Sequence, residues 1–110
     1  MADRGDNMSR LDIAVPDLND SFSKVVLDRK TYLIRFSWNE TAKRWNFGLY
    51  TTQKEPIAVG IKMVPRFPLN LQIIDEAFPS GVFGVYSELE SVGRKDFKDG
   101  KAVFAYISQN

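Results

Sequence analysis

The sequence contains no cysteine and no histidine. Without cysteine, the chain cannot form a disulfide and offers no thiolate as a metal ligand or nucleophile. Without histidine, it lacks the usual general base, the Ser-His-Asp and Cys-His arrangements, and imidazole ligation of a metal. A pair of carboxylates could still act in glycoside hydrolysis, but the sequence shows no convergent set of acid, base and nucleophile. We therefore predict that the protein is not an enzyme and binds no cofactor.

An excess of charge of one sign is also missing. Fifteen Lys and Arg residues oppose fourteen Asp and Glu residues, which gives a net charge of +1. Such a chain has no strong overall attraction to nucleic acid or to an anionic membrane. No apolar stretch approaches the roughly 18 residues of a membrane span, and the polar N-terminus does not resemble a signal peptide. We expect a soluble protein with no specific nucleic acid partner and no membrane partner.

The composition that remains is typical of a small globular domain. Of the 110 residues, 44% are hydrophobic and 13% are aromatic, and folding at this length buries roughly two thirds of the surface of the unfolded chain. The first ten residues are polar and offer almost nothing to bury. We expect a flexible N-terminal tail over residues 1–10 and a single β-domain over residues 11–110.

The strongest pattern is an alternation of aromatic and apolar residues with polar ones on both sides of a polar connection. The alternating apolar positions are Tyr32, Ile34, Phe36 and Trp38, then Trp45, Phe47 and Leu49. A period of two indicates half-buried strands, and residues 39–43 between them suit a hairpin. Both tryptophans lie on the apolar face, so we expect them to pack in the core.

Further strands are predicted at residues 11–15, 21–27, 57–63, 69–73, 82–86 and 101–107. In the third of these, the pattern places Ile57, Val59, Ile61 and Met63 in one apolar row. The last strand is apolar on both faces, so it is either central in its sheet or covered by a partner. Residues 89–97 are the best helical candidate, but Gly93 interrupts them, so we expect a loop or a single turn there. The fold class is all-β, a small antiparallel β-barrel or sandwich of about seven strands with at most one or two helical turns.

The sequence offers one set of candidate metal ligands. Asp75 and Glu76, together with Asp96 or Asp99, carry carboxylates of the kind that bind Mg²⁺ or Ca²⁺. Acidic pairs at strand ends are usually solvated, and residues 96–100 lack the ligand run of a calcium loop. We expect that segment to be a turn and the protein to hold no metal.

Four features occur along the chain in a characteristic order. They are the run Tyr32-Leu33-Ile34-Arg35-Phe36-Ser37-Trp38-Asn39, the run Arg44-Trp45-Asn46-Phe47-Gly48-Leu49-Tyr50, a proline loop before Leu69 with the Pro79-Ser80-Gly81 turn, and an ending from Asp96 to Gly100 followed by Val103-Phe104-Ala105-Tyr106. Over residues 31–107, this order resembles the plug or hub-associated small domains in the baseplates of contractile-tailed phages.

The resemblance implies a function by assembly. Such domains are non-enzymatic structural parts of the central baseplate, so the implied partners are the hub, the spike, and the tail tube or its initiator. The implied copy number is three, and the implied location is the virion tail baseplate, with the host cytoplasm as the site of assembly.

Five residues are the candidates for partner binding. Leu11, Ile13 and Val15 alternate in a segment that Pro16 separates from the following strands. This segment either adds to a sheet edge of a neighbouring subunit or pairs within its own domain. Arg66 and Phe67, in the proline-rich loop, complete the set. The alternative function is a ligand-binding β-barrel that holds an oligonucleotide or a carbohydrate on exposed Trp and Tyr residues.

Overall fold

The fold was derived from a computed structural model, which describes residues 10–66, 69 and 79–108. These residues form strands and turns but no helix, so no helix among them could cross a membrane. The strands are β1 (Arg10–Ile13), β2 (Asp20–Leu27), β3 (Lys30–Asn39), β4 (Arg44–Tyr50), β5 (Pro56–Lys62), β6 (Val82–Ser87) and β7 (Ala102–Ile107). The predicted all-β class is confirmed.

Strands β2 to β5 form one antiparallel sheet in chain order. The β2–β3 turn consists of Asp28 and Arg29, which have φ angles of 53° and 69°. Positive φ at both central residues is what a type I′ hairpin turn requires, and the twist of this turn matches that of the flanking strands. The predicted β3–β4 hairpin is also confirmed, with Asn39 opposite Arg44.

The second sheet has the strand order β1-β7-β6. Strand β7 is therefore central, as the apolar residues on both of its faces predict. Strand β1 pairs antiparallel with β7, and Ile13 lies opposite Phe104. The N-terminal segment therefore pairs within its own domain, rather than being held apart to add to the sheet of a neighbouring subunit.

The core lies between the two sheets, which pack as an open sandwich rather than a closed barrel. Its centre is an aromatic cluster in which the ring centroids of Phe47, Phe83 and Phe104 lie 4.9 to 5.6 Å apart. Trp45 is 1% exposed beside them, in agreement with its predicted core position. The alternation of β3 and β4 thus supplies one wall of the core, and β6 and β7 supply the other.

Strand β5 departs from the sequence prediction. Its pairing with β4 shifts register between Phe47 and Tyr50, and Gly60 adopts a φ of 69°. Such a bulge inserts extra residues and reverses the faces that follow. As a result Val59 is 59% exposed, and the predicted apolar row from Ile57 to Met63 is wrong at that position.

The connection between β5 and β6 is described only in part. The N–H of Val85 donates to the carbonyl of Arg66 at 2.9 Å, and the N–H of Leu69 donates to the carbonyl of Phe83 at 2.8 Å. These bonds occupy part of the outer edge of β6. The rest of the strand predicted at residues 69–73 lies outside the described residues.

Candidate interaction surfaces

Acidic side chains are the candidate metal ligands of this chain. Within residues 10–66, 69 and 79–108, no group of three or more acidic side chains could hold a metal ion. The Asp96 carboxylate accepts a hydrogen bond from the Gly93 N–H at 2.5 Å, and its carbonyl accepts one from the Lys101 N–H at 2.9 Å. Asp96 therefore shapes the predicted turn. Asp75 and Glu76 lie outside the described residues.

A buried polar network joins the two sheets at one end of the sandwich. The Tyr106 hydroxyl donates to the Asp28 carboxylate at 2.5 Å and accepts from the Gly81 N–H at 2.8 Å, and the Ser108 hydroxyl donates to Asp28 at 2.6 Å. Burial, together with the bond to Asp28, raises the pKa of Tyr106 well above its usual value. The phenol is therefore a neutral structural donor rather than an acid or base.

An ionic cluster fixes the connection between β1 and β2. The Asp17 carboxylate accepts from Arg94 at 2.8 Å and from Lys95 at 3.0 Å. Hydrogen bonds from Lys95 and Arg94 lower the pKa of Asp17 to about 2. The Arg94 guanidinium also lies 5.2 Å from the Trp45 ring centroid. The crossing between the sheets is thus tied to the turn that precedes β7.

The two sheets each leave an edge strand, β1 and β2, on the same open side of the sandwich. A groove of about 450 Å³ lies between these edges, lined by Leu11, Ile13 and Pro16 on one wall and by Lys24, Val25 and Val26 on the other. We call it the β1–β2 groove. Among the described residues, no strand pairs with the outer edge of either β1 or β2. The groove is therefore apolar and flanked by open backbone edges.

The direction of the open backbone groups in β2 follows from its ladder. The Trp38 N–H donates to the Asn19 carbonyl at 2.8 Å, which makes these two residues a hydrogen-bonded pair. Because such pairs alternate with non-bonded ones in an antiparallel ladder, Phe22, Lys24 and Val26 direct their N–H and C=O groups away from β3. These groups face the open side.

The predicted N-terminal residues divide between the core and this groove. Ile13 is 8% exposed and Val15 packs against the core, so these two side chains support the domain itself. Leu11 is 42% exposed at the rim of the β1–β2 groove. Of the three, only Leu11 offers its side chain to a neighbour.

The two predicted loop residues are less informative. Arg66 has an exposed side chain, and its carbonyl is bonded to β6. Phe67 lies outside the described residues. Partner binding at these two positions therefore stays a prediction.

The tryptophans do not form an exposed binding platform. Trp45 is buried, and Trp38 packs against it edge to face with ring centroids 5.6 Å apart. The Trp38 indole N–H donates to Glu40 at 2.8 Å. Because the tryptophan rings support the core, the groove-binding alternative for oligonucleotide or carbohydrate gains no support from them.

The sequence prediction missed an exposed aromatic pair on the outer face of the four-stranded sheet. Phe22 is 42% exposed, and its ring meets the Tyr50 ring edge to face at 5.2 Å. The sequence of β2 contains a pattern that could have indicated this exposure, since Ser21 and Ser23 alternate with Phe22 and Lys24. The serines face inward, so the aromatic side chain is left on the outside.

Comparison with known proteins identifies the family. No match was found among the curated proteins. Residues 8–109, which include every described strand, match the family described as "Cyanophage baseplate Pam3 plug gp18". The match covers nearly the whole chain and confirms the resemblance to baseplate plug domains. The chain belongs to this family of baseplate plugs, and it is a structural protein of a phage tail baseplate.

Proposed function

We propose that this protein is a non-enzymatic assembly component that binds neighbouring subunits in the central baseplate. Its partners in this proposal are the hub, the spike, and the tail tube or its initiator, with three copies in each baseplate. It enters the baseplate during assembly in the host cytoplasm. The observation that carries the proposal is the β1–β2 groove, together with membership of the plug family.

The groove suits an extended segment of a neighbouring subunit. An open strand edge presents unpaired N–H and C=O groups, and an added strand satisfies them while its alternate side chains enter apolar pockets. Here the open edges of β1 and β2 face the same groove, with Leu11 and Val26 exposed beside it. A neighbouring strand would bury both side chains and bond to the backbone of β2.

Proline at position 24 tests this role directly. Lys24→Pro removes an N–H that points to the open side and leaves the β2–β3 ladder complete, since proline is tolerated at a strand edge. We expect Lys24→Pro to keep the thermal midpoint within a few degrees of the wild type and to lose incorporation into baseplates. Incorporation is measured by co-expressing the baseplate proteins of the parent phage and quantifying this chain in purified particles.

The matched control is Lys24→Thr, which removes the same charge but keeps the backbone N–H. We expect Lys24→Thr to be incorporated well above Lys24→Pro, so the difference between the two variants measures the contribution of the backbone N–H alone. Normal incorporation of Lys24→Pro would show that neighbours bind elsewhere on the molecule. Counting copies in a cryo-electron microscopy map of the same particles tests the proposed number of three.

The absence of catalysis has its own test. We expect the purified protein to leave peptidoglycan intact, because the chain has no histidine, no cysteine and no convergent acid and base. Reproducible cleavage that is lost in Asp75→Asn or Glu76→Gln would contradict this part of the proposal.

A further inference from the structure

The outer face of the four-stranded sheet carries an uneven distribution of charge. Strand alternation and register place four cations on this face, Lys24, Arg35, Arg44 and Lys62, and one anion, Asp20. The face therefore carries a net charge of +3, although the total for the chain is +1. Lys54 and Glu55, in the β4–β5 turn, cancel each other in this sum. The balanced composition of the chain therefore conceals a basic surface.

The centre of this face is aromatic. The Phe22 ring lies against Tyr50, and Tyr50 in turn lies over Gly48, where an added Cβ would stand 3.1 Å from its ring. The Lys54 Nζ lies 5.0 Å from the Phe22 ring centroid. An exposed aromatic residue surrounded by charged ones has the composition of a protein interface, with an apolar centre and a polar rim.

We infer that this face docks onto an acidic surface of a neighbouring baseplate protein, one with an apolar side chain at its centre. The inference rests on the proposed assembly function and adds a second contact to the β1–β2 groove. Acidic side chains of the partner would meet the cations at the rim, while its apolar side chain would cover Phe22. Charge complementarity is what selects an acidic partner over a neutral one.

The aromatic geometry argues against nucleic acid as the ligand. Bases bind to exposed aromatic faces by parallel stacking. Here cations already lie over the Phe22 ring, with Lys54 at 5.0 Å and the Arg35 guanidinium at 6.0 Å, and Tyr50 meets it at an interplanar angle of 74°. Arg35 is also held by two hydrogen bonds to Asp20, of 2.8 and 2.6 Å. The face lacks the open platform that a base would need.

Two variants test the inference outside the β1–β2 groove. The first reverses two rim charges, Lys54→Glu with Lys62→Glu, and the second removes the aromatic centre, Phe22→Ser. The matched control is Arg29→Glu with Lys101→Glu, which changes the net charge equally on exposed residues away from this face. Each variant is co-expressed with the wild-type chain and the other baseplate proteins, and the ratio of the two chains is measured in purified particles.

We expect both test variants to be outcompeted by the wild type by about tenfold or more, which is the scale of losing one strong interface contact. The control should be incorporated in the same ratio as the wild type. All variants should melt within a few degrees of the wild type, because the altered side chains are exposed.

The outcomes separate this inference from the proposed function. If all variants are incorporated equally while Lys24→Pro is lost, the assembly function stands and the second docking surface is wrong. If even the wild-type chain fails to enter particles, both are wrong. Binding of a 20-nucleotide single strand that Lys54→Glu with Lys62→Glu abolishes would overturn the acidic protein partner in favour of nucleic acid.

Discussion

The outer faces of the two sheets both carry an aromatic side chain, but they differ in how their charges are balanced. On the three-stranded sheet, the Arg10 side chain lies 4.2 Å from the Tyr86 ring centroid and also pairs with Asp12 at 2.6 Å. Arg10 and Asp12 thus neutralise each other within the domain, while Tyr86 stays 39% exposed. On the four-stranded sheet, Phe22 is exposed to a similar extent at 42%, but there the cations outnumber the anions.

This difference indicates that different parts of the molecule determine its stability and its binding to neighbours. A surface whose charges neutralise one another gains little from a partner, whereas an unbalanced surface with an apolar centre gains much. The interior between the sheets should therefore determine whether the protein folds, and the outer face of the four-stranded sheet should affect only assembly. Substitutions in each region test whether these roles are separate.

Trp45→Ala should have the largest effect on folding. Truncating a buried Trp typically costs about 3–5 kcal/mol, which is a large part of the roughly 5–15 kcal/mol that holds a small domain folded. We expect the isolated variant to unfold or aggregate, as followed by thermal unfolding in circular dichroism. A midpoint close to that of the wild type would show that the interior does not control stability as proposed.

Gly81→Ala should destabilise the joint between the sheets by about 1–3 kcal/mol, the usual cost of overpacking. An added Cβ would stand 2.3 Å from the Ile107 carbonyl oxygen and 2.5 Å from Tyr106 Cζ, and the backbone atom cannot move aside cheaply. Chemical denaturation measures the loss. Gly93→Ala is the comparison, because its φ is not positive and its Cβ would meet only the Asp96 side chain, with Oδ2 3.2 Å away. A smaller loss at position 81 than at position 93 would contradict the close approach.

Tyr106→Phe should cost about 1–3 kcal/mol, because it removes the donor to Asp28 and the acceptor of the Gly81 N–H in a buried site. Chemical denaturation again provides the measurement. Ser108→Ala should cost less, since it removes a single bond to the same carboxylate. Equal losses in the two variants would mean that the hydroxyl of Tyr106 has no special part in joining the sheets.

Tyr86→Ser and Phe22→Ser compare the two outer faces directly. Loss of the Arg10 contact in Tyr86→Ser should lower stability by about 0.5–1 kcal/mol and leave incorporation into baseplates unchanged. Phe22→Ser should lower stability by a similarly small amount, since it loses contacts of the same kind, and it should also reduce incorporation. The same result for both variants in both assays would remove the distinction between the faces.

The smallest expected effect concerns pH. The pKa of Asp17 falls from 3.8 to about 2 on folding, so its ion pairs stabilise the fold above pH 3.8 and lose this contribution as the pH falls towards about 2. Asp17→Asn should therefore melt slightly below the wild type at neutral pH, and the two melting curves should converge near pH 2. A difference that persists unchanged at pH 2 would assign the effect to something other than the carboxylate charge.

The sequence predicts the parts of the fold that depend on local alternation. Strands β3 and β4 follow from aromatic residues every second position, and the central place of β7 follows from apolar residues on both of its faces. The exposure of Val59 did not follow, because the bulge at Gly60 depends on how β5 pairs with β4. Local patterns carry no information about such a register shift.

The candidate surfaces were harder to predict for a similar reason. The partner of β1 is more than 90 residues away along the chain, since Ile13 pairs with Phe104, and no nearby signal identifies it. The basic face arises only when four strands lie side by side, although the charges along the chain are balanced. Phe22 was detectable in principle from the alternation with Ser21 and Ser23, but the inward direction of those serines follows from the register of β2 with β3, which places them opposite Phe36 and Ile34.

The pairing of the first strand with the last also has a consequence for how the chain folds during synthesis. Hairpins between neighbouring strands form quickly, whereas contacts between distant residues must first overcome the entropy of closing a long loop. Strands β2 to β5 can therefore assemble as soon as they leave the ribosome, while β1 must wait for β7, which is made after the other described strands. Until then the apolar face of the nascent four-stranded sheet is uncovered. The chain is therefore most prone to aggregate before β7 has been made and paired.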